Sequence, residues 1–141
     1  MKFMASTTDH LNQWEHNRRL LTRLEPEFPD WIITVTFYVS LHAVDALLAH
    51  DNATRIVSHD ARNDTLKRVN RYQQIYRHYR PLYDLSRRVR YLAKPAEWLP
   101  AAEIEAEIFG RYLYPLETSV TKLTSFDLAK PPIHLKTAGA G

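Results

Sequence analysis

Residues 55–66 read RIVSHDARNDTL and set His59 three positions before Arg62, with Arg55 four positions upstream. Histidine and arginine together can cleave RNA without a metal. The imidazole takes a proton from a ribose 2′-hydroxyl while the guanidinium stabilises the charged phosphate. Three pairs carry these residue types: His59 with Arg62, Arg55 with His59, and Arg71 with His78, the last seven apart and so on one face of a helix. The same residues have a purely structural reading. His59 and Asp60 suit the first turn of a helix, and Arg62 can pair with an acidic side chain.

Other chemistries find less support. The chain has no cysteine, which excludes thiol catalysis, Cys-based zinc sites and disulfides, and agrees with a reducing, cytoplasmic setting. Ser40, Ser58, Ser86, Ser119 and Ser125 lack a glycine-rich elbow, and no GxxxxGK[ST] or GxGxxG phosphate loop occurs. His42 and Asp45 lie three apart with His50 beyond, a spacing that can ligate a metal, but no Glu-x-x-His pair supports a di-metal carboxylate bundle. The expectation is therefore no metal and no cofactor, with His42 a core histidine bonded to a neighbouring polar group.

The elements that position these residues read as helices. Only three glycines occur, two of them in the last three residues, so few turns are marked by glycine. A helix is predicted over 7–24, capped by Thr7 or Thr8, and broken by the prolines at 26 and 29. Residues 30–50 are apolar nearly all round, with Ile33, Phe37, Leu41, Val44 and Leu48 in one stripe, the pattern of a central buried helix. Residues 51–57 read as a loop. A helix capped by Ser58 or Asp60 follows to about Asn70, then another over 72–92 with a kink or restart at Pro81. After a loop at 94–99, the stripe Ile104, Ile108, Tyr112, Leu116 and Val120 predicts a last helix to about Leu123, kinked at Pro115.

The fold expected is all-α, a single up-and-down bundle of about five helices in residues 1–126, with 127–141 as a flexible C-terminal tail. The length of 141 residues fits one domain that needs no staple. The first residues lack the apolar core of a signal peptide, and no run approaches 18 uncharged apolar residues, so no membrane association is expected. The triplets at Asn52 and Asn63 are then not glycosylation sites.

Net charge is only +3, but it is unevenly spread. Arg62, Lys67, Arg68, Arg71, Arg77, Arg80, Arg87, Arg88 and Arg90 stand against Asp64 and Asp84, interleaved with Tyr72, Tyr76, Tyr79, Tyr83 and Tyr91. Such a stretch can grip phosphates and stack on bases. It also fits a solvated helix face with tyrosines turned into the core.

Across 29–92 the chain resembles HEPN-domain proteins, the higher-eukaryote and prokaryote nucleotide-binding group. The resemblance rests on Phe37, Tyr38, His42, Asp45 and Ala46, then His59, Arg62 and Asn63, then Tyr79, Leu82, Ser86, Arg90 and Tyr91. It implies a four- or five-helix bundle, commonly a homodimer, that binds RNA or nucleotides. Many such proteins are metal-independent ribonucleases, toxins, or partners of a nucleotidyltransferase antitoxin. Their catalytic signature is an arginine, four to six residues, then a histidine. Arg55 to His59 leaves three intervening residues and Arg71 to His78 leaves six. Two readings follow. In one, His59 and Arg62 act on RNA, with His42, Arg90, Tyr91, Tyr83 and Ser86 binding the nucleotide. In the other, the chain is a non-catalytic dimeric interaction module whose charged groups satisfy one another.

Overall fold

The computed structural model describes residues 5–53, 58–91 and 100–136. Arg55 and the 94–99 loop expected from the sequence lie outside them, as does the end of the tail from residue 137. Among the described residues the secondary structure is helical, without a strand. The architecture is the expected all-α bundle of about five helices: α1 (Thr7–Leu21), α2 (Pro29–His50), α3 (His59–Arg68), α4 (Gln73–Tyr91) and a C-terminal helix over 101–123.

Local chemistry sets the helix ends. The cap of α1 is Ser6 rather than Thr7 or Thr8. Its Oγ accepts from the Asp9 amide at 3.1 Å and the Asp9 carboxylate accepts from the Ser6 amide at 2.9 Å. This reciprocal box contributes about 1 kcal/mol. Helix α1 stops at Leu21, before the predicted Leu24. Pro29 opens α2, where its missing N–H costs nothing. Ser58 caps α3 by accepting from the Ala61 amide at 3.0 Å. Helix α4 starts after a 3-10 turn at Asn70–Tyr72 and continues through Pro81 without a restart.

Helix α2 is the axis of the bundle. Ile32, Ile33, Phe37, Val39, Leu41, Ala43, Val44, Ala46, Leu47 and Leu48 are all buried. It is long and apolar enough to cross a membrane by length and composition, with mean hydropathy 1.7 over an 18-residue window that contains few charges. Its apolarity is accounted for by packing, since 72% of that window is buried within the bundle. Helices α1 and α4 flank it, and α3 packs on α4.

The C-terminal helix is not a simple kinked α-helix. Residues Ile104–Leu113 form a π-helix, and Pro115 sits in the first turn of the α-helical continuation Tyr114–Leu123. The Tyr114 amide donates to the Phe109 carbonyl, five residues back. Widening the turn brings Ile104, Phe109, Ile108 and Leu113 to the buried side together.

The expected flexible tail is corrected for the residues the structure describes. Leu128, Ile133 and Leu135 are buried in the core. The Ile133 amide donates to the Tyr114 hydroxyl at 2.7 Å, the Leu135 amide donates to Glu105 Oε1 at 2.7 Å, and Lys136 pairs with Glu25 at 2.8 Å. Prolines at 131 and 132 keep this segment from becoming a helix without preventing it from packing. Beneath it, Arg18 donates Nε and Nη2 to Glu117 at 2.7 and 2.9 Å and Nη1 to the Pro131 carbonyl at 3.2 Å. Trp14 Nε1 donates to the same Glu117 at 2.8 Å. Burial pushes the Glu117 carboxyl up, against the pull of Arg18 and Trp14.

Candidate nucleic-acid interface

Helix α3 packs on α4 and reaches α2 through the Arg62 side chain. Arg62 is buried and grips both oxygens of Asp45 on α2, Nε to Oδ1 at 2.7 Å and Nη2 to Oδ2 at 3.0 Å. Its remaining nitrogen, Nη1, stands 3.3 Å from His59 Nδ1. A guanidinium can only donate, so His59 Nδ1 must accept and its proton is assigned to Nε2. Asn63 Nδ2 donates to the His59 carbonyl at 3.0 Å and ties the first turn.

The His59 ring is held by aromatics, with centroids 5.9 Å from Phe37 and 5.6 Å from Tyr83. The Arg90 guanidinium of α4 also lies 5.9 Å from the Phe37 ring centroid. Arg90 Nη1 donates to the Tyr38 hydroxyl at 3.4 Å, and its guanidinium lies 5.4 Å from the Tyr91 ring. Phe37 is thus a buried neighbour common to His59 and Arg90. Burial lowers the His59 pKa, and the positive charges of Arg62 and Arg90 lower it further, outweighing Asp45 and Asp60. The imidazole is neutral at physiological pH.

The structure therefore brings together His59, Arg62 and Arg90, with Tyr83 beside them and Tyr91 next to Arg90. Arg62, expected to act on RNA together with His59, is buried, holds both oxygens of Asp45 and turns its third nitrogen to His59. Tyr83, read as a nucleotide contact, is only 6% exposed, and Arg80 and Arg87 lie 5.1 and 5.8 Å from its ring. Ser86 is enclosed, with its Oγ unpartnered like the Tyr79 hydroxyl and Asn63 Oδ1. Tyr91 is 71% exposed and open to a ligand. Next to it a shallow hollow of about 420 Å³ is lined by Asp84, Arg87, Arg88 and Tyr91. Asp84 is occupied by Arg80 at 3.1 Å. Among the described residues, Arg87, Arg88 and Arg90 make no ion pair with a carboxylate.

His42 bonds elsewhere. Its Nδ1 lies 3.1 Å from His10 Nδ1 on α1, a partner the sequence did not suggest. Burial lowers the His42 pKa, with the nearby His10 adding to the effect. His50 is distant from this pair, bonded to Asp51 at 3.0 Å and edge-on to Phe126. No group of three or more metal-ligating side chains converges among the described residues.

Arg71 and His78 do not form a site. Arg71 holds Asp51 through Nε at 2.9 Å and Nη2 at 3.1 Å and also reaches the Leu123 carbonyl at 2.8 Å. His78 Nδ1 turns back to the Gln74 carbonyl of its own helix at 3.0 Å. Tyr72 donates its hydroxyl to Asp51 at 2.6 Å. Partial burial works to raise the Asp51 pKa, but the bonds from Arg71, Tyr72 and His50 prevail and hold it at about 2.

Compared with known proteins, the chain matches no protein-family model, no curated protein and no solved structure.

Proposed function

We propose that this protein is a HEPN-like binder of RNA or a nucleotide, holding it between His59 and the Arg87–Tyr91 end of α4. The observation that supports this reading is that His59 and Arg90, from two helices, each lie 5.9 Å from the ring centroid of Phe37. Arg90 and Arg87 offer phosphate contacts free of carboxylate partners among the described residues, and the exposed Tyr91 ring offers a stacking surface.

The same network favours binding over cleavage. His59 Nδ1 faces Arg62 and its Nε2 carries the proton, so the outward edge of the ring donates a hydrogen bond. A general base would need that edge unprotonated. His59 then acts as a neutral donor to a phosphate or base oxygen. The family resemblance adds a nucleotidyltransferase antitoxin as a candidate partner. The test is fluorescence anisotropy with a labelled single-stranded RNA. His59→Gln and Arg90→Ala each weaken binding about tenfold or more on this reading, and the RNA stays intact. Affinity unchanged by both substitutions, or insensitive to salt, rejects it.

One observation favours the dimeric interaction module. Phe28 and Trp31, at the start of α2, are 47% and 58% exposed, which leaves apolar surface without cover from the described residues. Light scattering of the wild type and Trp31→Glu tests this. A dimer that dissociates in the variant supports it, and a wild-type monomer at high concentration removes it.

A further inference from the structure

The nearest approach between α1 and α2 by polar side chains is the one between His10 and His42, Nδ1 to Nδ1 at 3.1 Å. The ring centroids are 5.4 Å apart and the planes are inclined by 33°. The two nitrogens therefore face each other. In the metal-free chain a single proton bridges them, since one ring must donate and the other accept. Such a pair of imidazole nitrogens on two helices has a second use.

We propose that His10 and His42 form a two-nitrogen clip for a divalent transition-metal cation such as Zn²⁺ or Ni²⁺. With metal–nitrogen distances of about 2.05 Å, nitrogens 3.1 Å apart subtend about 98° at the ion, between the square-planar and tetrahedral angles. With the centroids 5.4 Å apart the two nitrogens point almost directly at each other, so each ring turns by about 40° to aim its lone pair at the ion. The cation takes the place of the shared proton. Both histidines are half-buried, so each ring is supported by the bundle and the pair is still reached from solvent.

The charges around the pair permit a cation. Asp45, one turn from His42 on α2, is bound to Arg62 of α3, and the two cancel. The Asp45 carboxylate is thereby withheld from the metal, and the Asp9 carboxylate next to His10 is committed to the Ser6 amide. The protein supplies two ligands and water completes the shell. This predicts imidazole-preferring ions over Mg²⁺, which demands oxygen ligands. The clip does not depend on the RNA-binding reading.

The experiment uses the tag-free full chain in ZnCl₂, NiCl₂ or MgCl₂. Zn²⁺ and Ni²⁺ raise the thermal midpoint of the wild type by a few degrees and Mg²⁺ does not, because an ion that binds only the folded state stabilises it. His10→Ala and His42→Gln each abolish the rise, while His16→Ala, on the exposed side of α1, keeps it. If a variant fails to fold by circular dichroism, NMR of the wild type decides. Paramagnetic Ni²⁺ then broadens the imidazole protons of His10 and His42 first. Absence of a shift, a shift retained in folded His10→Ala, or broadening centred on His16, His50, His59, His78 or His134 overturns the proposal.

Discussion

Arg62 of α3 holds both carboxylate oxygens of Asp45 on α2, seventeen residues earlier in the chain, and presents its third donor side to His59. This bidentate pair orients the histidine. Removing the arginine leaves Asp45 in a partly enclosed place without its counter-charge and frees the His59 ring. Arg62→Ala is expected to destabilise the fold by about 3 kcal/mol, read from urea unfolding. Arg62→Lys, which cannot span both oxygens, recovers only part of the loss. If Arg62→Ala unfolds at the wild-type urea midpoint, the pair is not structural.

Acid stability has an identifiable source at the far end of α2. Asp51, with an ordinary carboxylate pKa of 3.8 when unfolded, is held at about 2 in the fold by Arg71, Tyr72 and His50. A depressed folded pKa means stability that is complete above the unfolded value and is lost as pH falls through the folded one. The window is therefore pH 4 down to pH 2. The contribution is at most about 2 kcal/mol, less for screening because Arg71 is largely solvated. Asp51→Asn flattens the acid limb of a stability–pH curve in that window. An unchanged limb assigns the acid sensitivity elsewhere.

On the proposed RNA-binding reading, affinity should separate two kinds of contact. Arg87→Ala and Arg90→Ala would each remove one phosphate contact and lower the slope of log K against log salt by about 1. Tyr91→Ala costs about 1–3 kcal/mol of stacking and leaves the slope unchanged. Tyr91→Phe retains affinity, because the ring face and not the hydroxyl is used. A Tyr91→Ala change that alters the salt slope would contradict this division.

Residues beyond Asp127 should matter for stability. Ile133 is buried, and its amide is held by the Tyr114 hydroxyl. Ile133→Ala is expected to cost about 2–3 kcal/mol, and Tyr114→Phe about 1 kcal/mol through the lost hydrogen bond. Thermal unfolding of the two variants measures both. Wild-type midpoints in both would restore the picture of a detached tail.

Much of the fold was legible because its signals are local. The all-round apolarity of residues 30–50 announced the central helix, and Ser58 announced the start of α3. The π-helical run at Ile104–Leu113 was not legible, since the stripe Ile104, Ile108, Tyr112 reads as ordinary helix and only packing reveals that Phe109 and Leu113 are also turned inward. The site divides in the same way. His59, Arg62 and Arg90 were nominated by residue type, but the pairing of Arg62 with Asp45, seventeen residues away on another helix, is set by how the helices pack. The His10–His42 contact and the Arg18–Glu117 pair join positions 32 and 99 apart, and no local pattern marks such partners. The packed segment was missed because Pro131 and Pro132 signal irregular backbone, and irregular backbone is not the same as loose backbone.

The embrace of Arg18 by Glu117 and the Pro131 carbonyl also dictates an order of events during synthesis. Helix α1 emerges before the other described helices, yet the partners that neutralise its buried arginine and cover Trp14 lie 99 to 113 residues later. Closing so long a loop is slow compared with forming a helix hairpin. Until the last helix has left the ribosome, the nascent chain displays an apolar face and an unmatched cation on α1. That interval is when the chain is most exposed to aggregation and to chaperones, and a stall in translation before Pro131 would prolong it.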